Sequence, residues 1–431
     1  MSPAGARPRR VLTVTSTHTG GMPQTNRDLM HALLVPALGA RGHEAVAGAQ
    51  RPGSPLAAEV FHLNALHRQL TLSRVSAGGS EQAVQAHTLA QPVDPSTHQS
   101  AEYDEVAGAW LRSGAFDVVH IQHLGWHSLG LLKLAKAAGA RVVVTFHDYY
   151  HLCPTVKLLD AEGRYCAGAC TPGQTDCTPE PMWPGHTFPH LRGGWVNMWR
   201  EGAAQALAHA DVYTAPHESV RATVLQHLAL PPDKPFLVVP HGRDWARIQW
   251  LGQLPKRSQA LQILVPGQLV KAKGLEVVQA LAELDGGSRL HFHLLGGGGG
   301  FQLKSALGLT IHGEYKPQDF SARVAEIRPH VGAVFSIWSE TWCHTLTEMW
   351  ACGLPVMAFD FPTVAARINA TGAGWVWPME TVQALYQRIL ALDFMEISRR
   401  TARTAALKPM LQQQTTLQMA RRYAEEVYGW G

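Results

Sequence analysis

Residues 331–360, VGAVFSIWSETWCHTLTEMWACGLPVMAFD, hold two short apolar runs separated by a polar connection and a helical segment. The first run predicts a buried strand over Ala333–Ile337, and the second predicts another over Pro355–Phe359. A strand, a helix and a strand in so few residues are typical of a βαβ unit with parallel strands. The stretch therefore predicts an α/β fold built on a parallel sheet.

The same alternation of apolar runs and amphipathic segments continues along most of the chain. Further strands are predicted at Val11–Thr15, Val118–Ile121, Arg141–Phe146, Val212–Ala215, Phe236–Val239, Gln262–Val265 and His291–Leu295. Helices are predicted at Asn26–Val35, Leu129–Ala138 and Gly274–Leu284. We expect two Rossmann-like, doubly wound domains that face a cleft, with ligands outside the carboxyl ends of the strands.

A polar, proline-bearing run at residues 243–260 separates the two series of strands. It predicts an N-terminal domain over residues 1–245 and a C-terminal domain over residues 246–410. Residues 411–431 form a basic amphipathic segment, which predicts a final helix on the N-terminal domain. Two segments break the alternation: residues 76–103 are predicted to be a polar insertion, and residues 151–195 a cysteine-, proline- and glycine-rich excursion.

The bulk composition excludes several classes of protein. The 431 residues are 46% hydrophobic and 16% charged, so the chain can bury large cores and is not disordered. The net charge of +4 is too small to indicate a nucleic-acid partner. No apolar run reaches the length of a membrane-spanning helix, the first run indicates a strand rather than a signal peptide, and six cysteines do not indicate a disulfide scaffold. We expect a cytoplasmic protein.

Two carboxylates, Glu340 and Glu348, stand eight residues apart in the opening stretch. One helix cap and one surface acid would explain Glu340, but Glu348 lies among apolar neighbours, and a buried acid without a partner is costly. Two carboxylates on one wall of a cleft can each accept hydrogen bonds from vicinal hydroxyls, as sugars and riboses present them. The hydroxyls of Thr341 and Thr345 would add donors. A sugar or nucleotide ligand is therefore the favoured interpretation.

Other strand-ending loops carry features that suit an anionic or hydroxyl-bearing ligand. Gly20 and Gly21 precede a helix, and paired glycines allow a ligand close to the backbone, although an ordinary turn would look the same. Lys273 stands at a helix start, where the helix dipole makes a cation unfavourable unless an anion lies nearby. Either a phosphate supplies that anion, or Lys273 is an ordinary lysine on a solvated surface. Gly296–Gly300 either wraps a base or forms an open loop. His147, beside Asp148 at a strand end, is a functional or a structural histidine.

Together these motifs resemble glycosyltransferase family 4, whose members are retaining enzymes of the GT-B architecture with two Rossmann-like domains. The family's Glu-x7-Glu motif corresponds to Glu340 and Glu348, followed by "ACGLPV". Its phosphate-binding segment corresponds to "GQLVKAKG", and "FDVVHIQH", "VVVTFHD" and "VVPHGRD" extend the similarity over nearly the whole chain outside the insertions. Five motifs in the family's order make the resemblance specific.

The resemblance implies roles for individual residues. Glu340 would contact the donor sugar, Glu348 the ribose, Lys273 the diphosphate, and His147 the sugar near its reacting carbon. Further nucleotide-sugar ligands implied by the resemblance are Gly20, Gly21, Gln268, Gly296, Gly313, Thr341, Trp342, Cys343, His344 and Thr345. The family is usually independent of metal at the active site, so no catalytic metal is expected.

The sequence departs from the family pattern at two positions of the donor site. The family's arginine is replaced by the uncharged Gln268, for which Lys271 is a candidate substitute. A glycine of the family is replaced by Cys343, which requires a different backbone or a looser approach of the ligand. These departures suggest a rival function, a non-catalytic partner subunit that only binds a nucleotide-sugar. A second rival is another GT-B enzyme, such as a nucleotide-sugar epimerase.

Four of the six cysteines, Cys153, Cys166, Cys170 and Cys177, fall within 25 residues. Their clustering is compatible with a structural zinc ion, with free thiols, or with a disulfide or another metal. The favoured function is transfer of a sugar from a nucleoside-diphosphate sugar to a glycan or lipid-linked acceptor in surface-polysaccharide synthesis. The C-terminal basic helix is either a solvated face or a peripheral contact with the inner face of the membrane.

Overall fold

The structure is a computed structural model. It describes residues 7–16, 21–34, 58–76, 79–94, 97–160, 162–170, 195–244, 249–255, 259–297 and 307–430. Gly20, Cys177, Gly298–Gly300 and much of the excursion at residues 151–195 therefore lie outside the described residues.

The chain divides into two compact units. Unit 1 comprises Met1–Ala161, Cys166–Arg243 and Gln414–Gly431, and unit 2 comprises Glu162–Tyr165 and Asp244–Gln413. The division between the units at Arg243 and Asp244 falls in the polar run of the sequence, and the last residues of the chain belong to unit 1.

Unit 1 is built on an eight-stranded sheet in the order β4-β3-β2-β1-β5-β6-β7-β8. Its elements are β1 Arg9–Thr15, α1 Gly21–Leu34, β2 Ala58–Leu66, β3 Gln69–Val75, β4 Glu81–Thr88, α2 Ala101–Gly114, β5 Val118–Ile121, α3 Gly130–Ala137, β6 Arg141–Thr145, α4 Trp195–Leu207, β7 Val212–Ala215, α5 Glu218–His227 and β8 Phe236–Val238. A late helix, here α13 (Thr416–Arg422), and a π-helical turn over Tyr423–Val427 complete it.

Unit 2 is built on a six-stranded, wholly parallel sheet in the order β11-β10-β9-β12-β13-β14. Its elements are β9 Leu261–Pro266, α6 Leu275–Asp285, β10 Leu290–Leu295, β11 Leu309–Ile311, α7 Phe320–Ile327, β12 Val331–Val334, α8 His344–Ala351, β13 Val356–Phe359, α9 Pro362–Thr371, β14 Gly374–Trp377, α10 Val382–Leu390, α11 Phe394–Ala406 and α12 Lys408–Gln412. This strand order is that of the Rossmann fold, which confirms the predicted fold class.

The central parallel strands of both sheets, β5 and β6 in unit 1 and β12 and β13 in unit 2, are almost wholly buried, and their sequences are rich in valine. In unit 1, Val118 and Val143 pack with Met419, Tyr423 and Val427 of the returning C-terminal segment. The end of the chain is therefore part of the core of unit 1. Capping side chains fix several helix starts, and Thr415 and Gln418 form a reciprocal capping box at α13.

The prediction of a polar insertion at residues 76–103 is wrong in part, because β4 lies inside it. β2, β3 and β4 form an antiparallel extension of the sheet that the sequence did not reveal. Nearly every side chain of β4 is exposed, so the strand has no alternation of apolar and polar residues.

The predicted strand Ala333–Ile337 is misplaced, since β12 is Val331–Val334. Beyond β12 the backbone N–H of Ile337 donates to the carbonyl of Ala272 in the loop after β9, 3.0 Å away, instead of extending the sheet. Ile337 therefore belongs to a loop, together with the residues that lead to Glu340.

Candidate active site

The loops after β9 and β12 bring Lys273 and Glu340 together. β9 and β12 are neighbours at the point where the strand order of the sheet reverses, and ligands of open parallel sheets bind at such points. The ammonium of Lys273 lies 2.7 Å from Oε1 of Glu340. Two residues chosen from distant parts of the sequence thus form one ion pair at the expected edge.

Glu340 is held as an anion. The residue is 5% exposed, and the hydroxyl of Ser336 donates to the same carboxylate oxygen that Lys273 contacts. Burial raises the pKa of Glu340, but the charge of Lys273 and the hydrogen bonds from Lys273 and Ser336 outweigh it, so the pKa is lower than usual. Both partners are charged at neutral pH.

Lys273 faces solvent more than its partner does. Its side chain is 38% exposed, and its ammonium lies 5.8 Å from the centre of the Trp338 ring. Burial lowers the pKa of Lys273, whereas the carboxylate of Glu340 raises it, and the net shift is upward. The ammonium of Lys273 is held in place by Glu340 and is also accessible to solvent, so it can bind an anionic group of a ligand.

Two buried polar groups next to Glu340 have no hydrogen-bond partner among the described residues. They are the indole N–H of Trp338 and the hydroxyl of Ser339. An unsatisfied buried polar group costs about 1–3 kcal/mol. The loop therefore keeps donors beside the ion pair at a cost in stability.

Glycines at three neighbouring strand ends bring the backbone loops close together. Gly267 donates its N–H to the carbonyl of Leu295, and Gly296 donates to the carbonyl of Gly313. A Cβ atom at Gly296 would lie 2.0 Å from the carbonyl oxygen of Gly267, and its φ of +146° is unfavourable for other residues. The predicted ligands Gly296 and Gly313 are thus adjacent, while Gln268 is exposed after β9.

The second glutamate lies on α8, which begins at His344. Glu348 is buried and stands one turn beyond Thr345, and the methyl group of Thr345 lies 3.5 Å from the position of a Cβ atom at Gly267. The N-cap residue of α8, Cys343, makes no capping hydrogen bond with its side chain. Thr341, Trp342 and Cys343 are buried in the loop that leads into the helix.

Cys343 adopts the left-handed conformation, with φ of +67°. Glycine favours this region, so the structure explains why a glycine is usual at this position of the family. The chain keeps the backbone turn and accepts the strain of a side chain. Burial and then Glu340 raise the pKa of the Cys343 thiol to about 12, so the thiol is neutral.

Arg367 on α9 organises this loop, and the sequence analysis missed it. Its guanidinium donates to the carbonyls of Trp342 and Cys343 and to the hydroxyl of Thr347. It also lies 3.9 Å from the centre of the Trp342 ring. A lone arginine in the apolar run "TVAARIN" was the signal in the sequence, because a buried cation must have partners.

In unit 1, His147 follows β6, is half-buried and stacks on the buried ring of His241, with 5.1 Å between the ring centres. Its Nε2 is hydrogen-bonded to Oε1 of Gln122, which follows β5. Burial lowers the pKa of His147 to about 4, against the opposing charge of Asp148. His147 is therefore neutral at pH 7. Gly21, also in unit 1, begins α1.

Beside His147, a second polar set joins the ends of three neighbouring strands. The hydroxyl of Ser16, after β1, lies 2.5 Å from Nδ1 of His123, after β5. Nε2 of His123 lies 3.3 Å from the carboxylate of Asp148, after β6. These residues occupy the place where the strand order of the first sheet reverses. The sequence analysis singled out neither Ser16 nor His123.

The predicted zinc ligands are described only in part. Cys153 is buried, the thiol of Cys166 donates to the carbonyl of Leu158, and Cys170 contacts Arg200. Within the described residues, no group of three or more histidine, cysteine or acidic side chains could hold a metal ion. Cys177 lies outside those residues, so the zinc site stays a prediction.

Comparison with known proteins identifies the family. The sequence model of Glycosyltransferase Family 4 matches residues 19–247, more than half of the chain. The chain belongs to glycosyltransferase family 4. The model of Glycosyl transferases group 1 matches residues 247–408 of this glycosyltransferase, which includes Lys273, Glu340 and Glu348. The resemblance inferred from the motifs is confirmed.

Solved structures show the same GT-B fold. Alr3699/HepE from Anabaena, in complex with UDP-glucose, is 12% identical, covers 97% of this chain and 99% of its own, and has a TM-score of 0.59. A glycosyltransferase from Rickettsia africae ESF-5 is 14% identical, with 98% of both chains covered and a TM-score of 0.61. Sucrose-phosphate synthase from Thermosynechococcus elongatus is 15% identical, with 98% and 100% covered and a TM-score of 0.58. No curated protein matches the chain.

Among the described residues, no helix combines the length and the apolar character needed to cross a membrane.

Proposed function

We propose that this family 4 glycosyltransferase transfers a sugar, with retention of configuration, from a nucleoside-diphosphate sugar to a glycan or lipid-linked acceptor in surface-polysaccharide synthesis. The observation that carries the proposal is the ion pair of Lys273 and Glu340 at the reversal of strand order in unit 2. The Anabaena protein of the same fold was solved with UDP-glucose, which supports a nucleotide-sugar as donor.

Lys273 is proposed to stabilise the leaving group. Departure of a nucleoside diphosphate increases the negative charge on the phosphate that leaves, and a fixed cation favours that state over the ground state. Glu340 holds the ammonium in place and keeps it protonated. Because the cation is already oriented, little reorganisation is needed when the bond to the sugar breaks.

The loop around Glu340 is proposed to bind the donor sugar and phosphates. The donors of Trp338 and Ser339 would be satisfied by hydroxyl or phosphate oxygens, which recovers their desolvation cost. The start of α8, where the helix dipole is positive, favours an anion. Arg367 fixes two carbonyls of the loop and thereby its shape.

Glu348 is proposed to bind the ribose, as the family resemblance implies. A buried carboxylate on the face of α8 that also carries Thr345 can accept both hydrogen bonds of a vicinal diol. His147 is proposed to accept a hydrogen bond from a hydroxyl of the donor sugar. No metal ion is assigned a part in these steps, and acceptor activation is left to the departing phosphate.

Turnover of a donor panel tests the proposal. The protein is incubated with uridine- and guanosine-diphosphate sugars, with and without chelator, and the released nucleoside diphosphate is measured. Lys273→Ala and Glu340→Ala should lower the release by at least about 10²-fold, the usual effect of one preorganised electrostatic group. Lys133→Ala and Glu283→Ala, which remove exposed helical charges elsewhere, are the matched controls and should retain full activity.

The product decides the finer claims. A transferred sugar whose anomeric configuration equals that of the donor supports retention, and an inverted product refutes it. Tight binding of a nucleotide-sugar without release, even with acceptors from a cell extract, would favour a non-catalytic binding subunit. Conversion of the donor to an epimer would favour an epimerase on the same fold.

A further inference from the structure

We propose that Gln122 is a positioning residue for His147, and that Tyr428 at the end of the chain keeps Gln122 in place through His120. The inference rests on the proposed function for the role of His147 in turnover, whereas the hydrogen-bond chain stands independently of it. All four residues belong to unit 1.

The chain of contacts begins in the returning C-terminal segment. The hydroxyl of Tyr428 lies 2.9 Å from Nδ1 of His120 on β5, and the two rings meet edge to face with 5.8 Å between their centres. The amide nitrogen of Gln122 lies 3.1 Å from the same Nδ1. The amide oxygen of Gln122 then contacts Nε2 of His147. His120 lies on β5, Gln122 directly follows β5, and Tyr428 belongs to the C-terminal segment, whereas His147 follows β6.

The direction of the donors along this chain follows from the chemistry of an amide. Its nitrogen only donates, so Nδ1 of His120 must be the acceptor. Burial keeps His120 neutral by lowering its pKa well below the usual value, and its proton therefore lies on Nε2. Nε2–H then donates to the hydroxyl oxygen of Thr145, 2.7 Å away.

The same amide presents its oxygen, which only accepts, to His147. Nε2 of His147 must therefore carry the proton of the neutral ring, and the lone pair lies on Nδ1. A ring in this tautomer accepts a hydrogen bond from a hydroxyl at Nδ1. Gln122 thus selects the hydrogen-bond acceptor that His147 offers, and the choice suits a sugar ligand, whose hydroxyls are donors.

Tyr428 strengthens this selection because it donates to the same Nδ1 of His120. The hydroxyl of Tyr428 is a second donor to Nδ1, and it holds His120 in the tautomer that accepts from Gln122. The amide of Gln122 cannot rotate without losing its hydrogen bond to His120. Tyr423, next to it in the core, lies 5.1 Å from His120 between ring centres and limits the ring's movement. The end of the chain is therefore tied to the orientation of a proposed sugar-binding residue.

The test combines a direct reading of the tautomer with turnover of the donor found in the panel. Ring nitrogens of 15N-histidine-labelled protein are observed by long-range 1H–15N correlation at pH 7, and the signal of His147 is assigned by its loss in His147→Phe. Gln122→Leu removes both hydrogen bonds, Gln122→Glu keeps an acceptor for His147, and Tyr428→Phe removes one hydroxyl. Tyr213→Phe is the matched control, since it removes a buried hydroxyl of the same unit that donates to Leu207 instead.

We expect the Nε2–H tautomer for His147 in the wild-type protein, in Gln122→Glu and in Tyr213→Phe. Gln122→Leu should show a mixture of tautomers and about 10²-fold lower kcat, and Tyr428→Phe a smaller loss of about tenfold. An Nδ1–H tautomer in the wild-type protein, or an unchanged tautomer in folded Gln122→Leu, would overturn the proposal. Unchanged tautomer and kcat in Tyr428→Phe would overturn the part played by the C-terminus. If no donor is turned over, the proposed function fails while the tautomer still decides the hydrogen-bond chain.

Discussion

Replacing Gly274 by alanine should damage both stability and the ion pair, because this glycine separates the two loops of the site. Gly274 follows Lys273 and precedes α6 with φ of +86°. A Cβ atom there would lie 2.2 Å from the carbonyl oxygen of Phe335, just before Ser336. Ordinary contact begins at about 3.4 Å, so one of two backbones must move by about 1 Å.

The expected loss of stability has two parts. The left-handed conformation costs a residue other than glycine about 1–2 kcal/mol. The steric overlap adds about 1–3 kcal/mol, the usual cost of overpacking in a region that cannot relax freely. Gly274→Ala should therefore lower the free energy of unfolding by about 2–5 kcal/mol. A shift of about 1 Å between the loops should also reduce turnover by roughly 10²-fold.

Gly286 supplies the matched control at the other end of the same helix. Its φ is +61°, and no described atom lies within 4 Å of a Cβ atom built there. Gly286→Ala therefore carries the conformational cost alone, about 1–2 kcal/mol, and should retain turnover. Urea unfolding of both variants and the release of nucleoside diphosphate give the comparison. Equal losses of stability, or full activity in Gly274→Ala, would refute the argument that backbone contact sets the spacing of the two loops.

Three further outcomes are expected. Burial lowers the pKa of His98 to about 4 and those of His127 and His151 to about 3, so below pH 6.5 the unfolded state binds more protons than the folded state. As the pH falls, the free energy of unfolding should therefore decrease by about 1.4 kcal/mol per pH unit for each histidine. A urea midpoint that does not change between pH 7 and 5 would contradict this. Arg367→Met leaves two buried loop carbonyls without their donor and should lower the free energy of unfolding in urea by about 2–5 kcal/mol. Arg367→Lys should have an intermediate effect. Equal urea midpoints for the two variants would count against the role of the guanidinium. Cys343→Gly should stay within about 1 kcal/mol of the wild-type protein and retain turnover, whereas Cys343→Val, a β-branched residue at positive φ, should lose about 2 kcal/mol; the reverse order would show that the turn tolerates side chains.

Near neutral pH the proposed functional groups have the charge states that the proposed function requires. Glu340 remains ionised at acidic pH because the charge of Lys273 lowers its pKa. Lys273 remains protonated at basic pH because the charge of Glu340 raises its pKa. His147 is neutral over the same range, since its pKa of about 4 lies far below 7. Unit 2 therefore keeps a cation and a carboxylate near pH 7, and unit 1 keeps a neutral imidazole, so none of the three groups titrates there.

The sequence alone was sufficient for the fold class, and it also singled out Glu340 and Glu348 as candidate site residues; both inferences depended on local patterns. Parallel strands buried on both faces are continuous apolar runs, so most of them could be recognised without knowledge of their neighbours. β4 could not, because its exposed side chains carry no periodicity. The end of β12 was misjudged because Ile337 is apolar like a strand residue, while its backbone bonds to another loop.

What only the tertiary structure decided were the partnerships between distant residues. The sequence indicated an anion beside Lys273 and proposed a phosphate, whereas the fold supplies Glu340, 67 positions away, as the partner in the described structure. The roles of Arg367 and Gln122 depend on carbonyls and ring nitrogens contributed by other elements, and no local pattern encodes these. A pattern reports what one segment needs, namely burial, a turn or a partner for a charge. Which partner meets that need is set by the order of strands in the sheet, because that order determines which loops are neighbours.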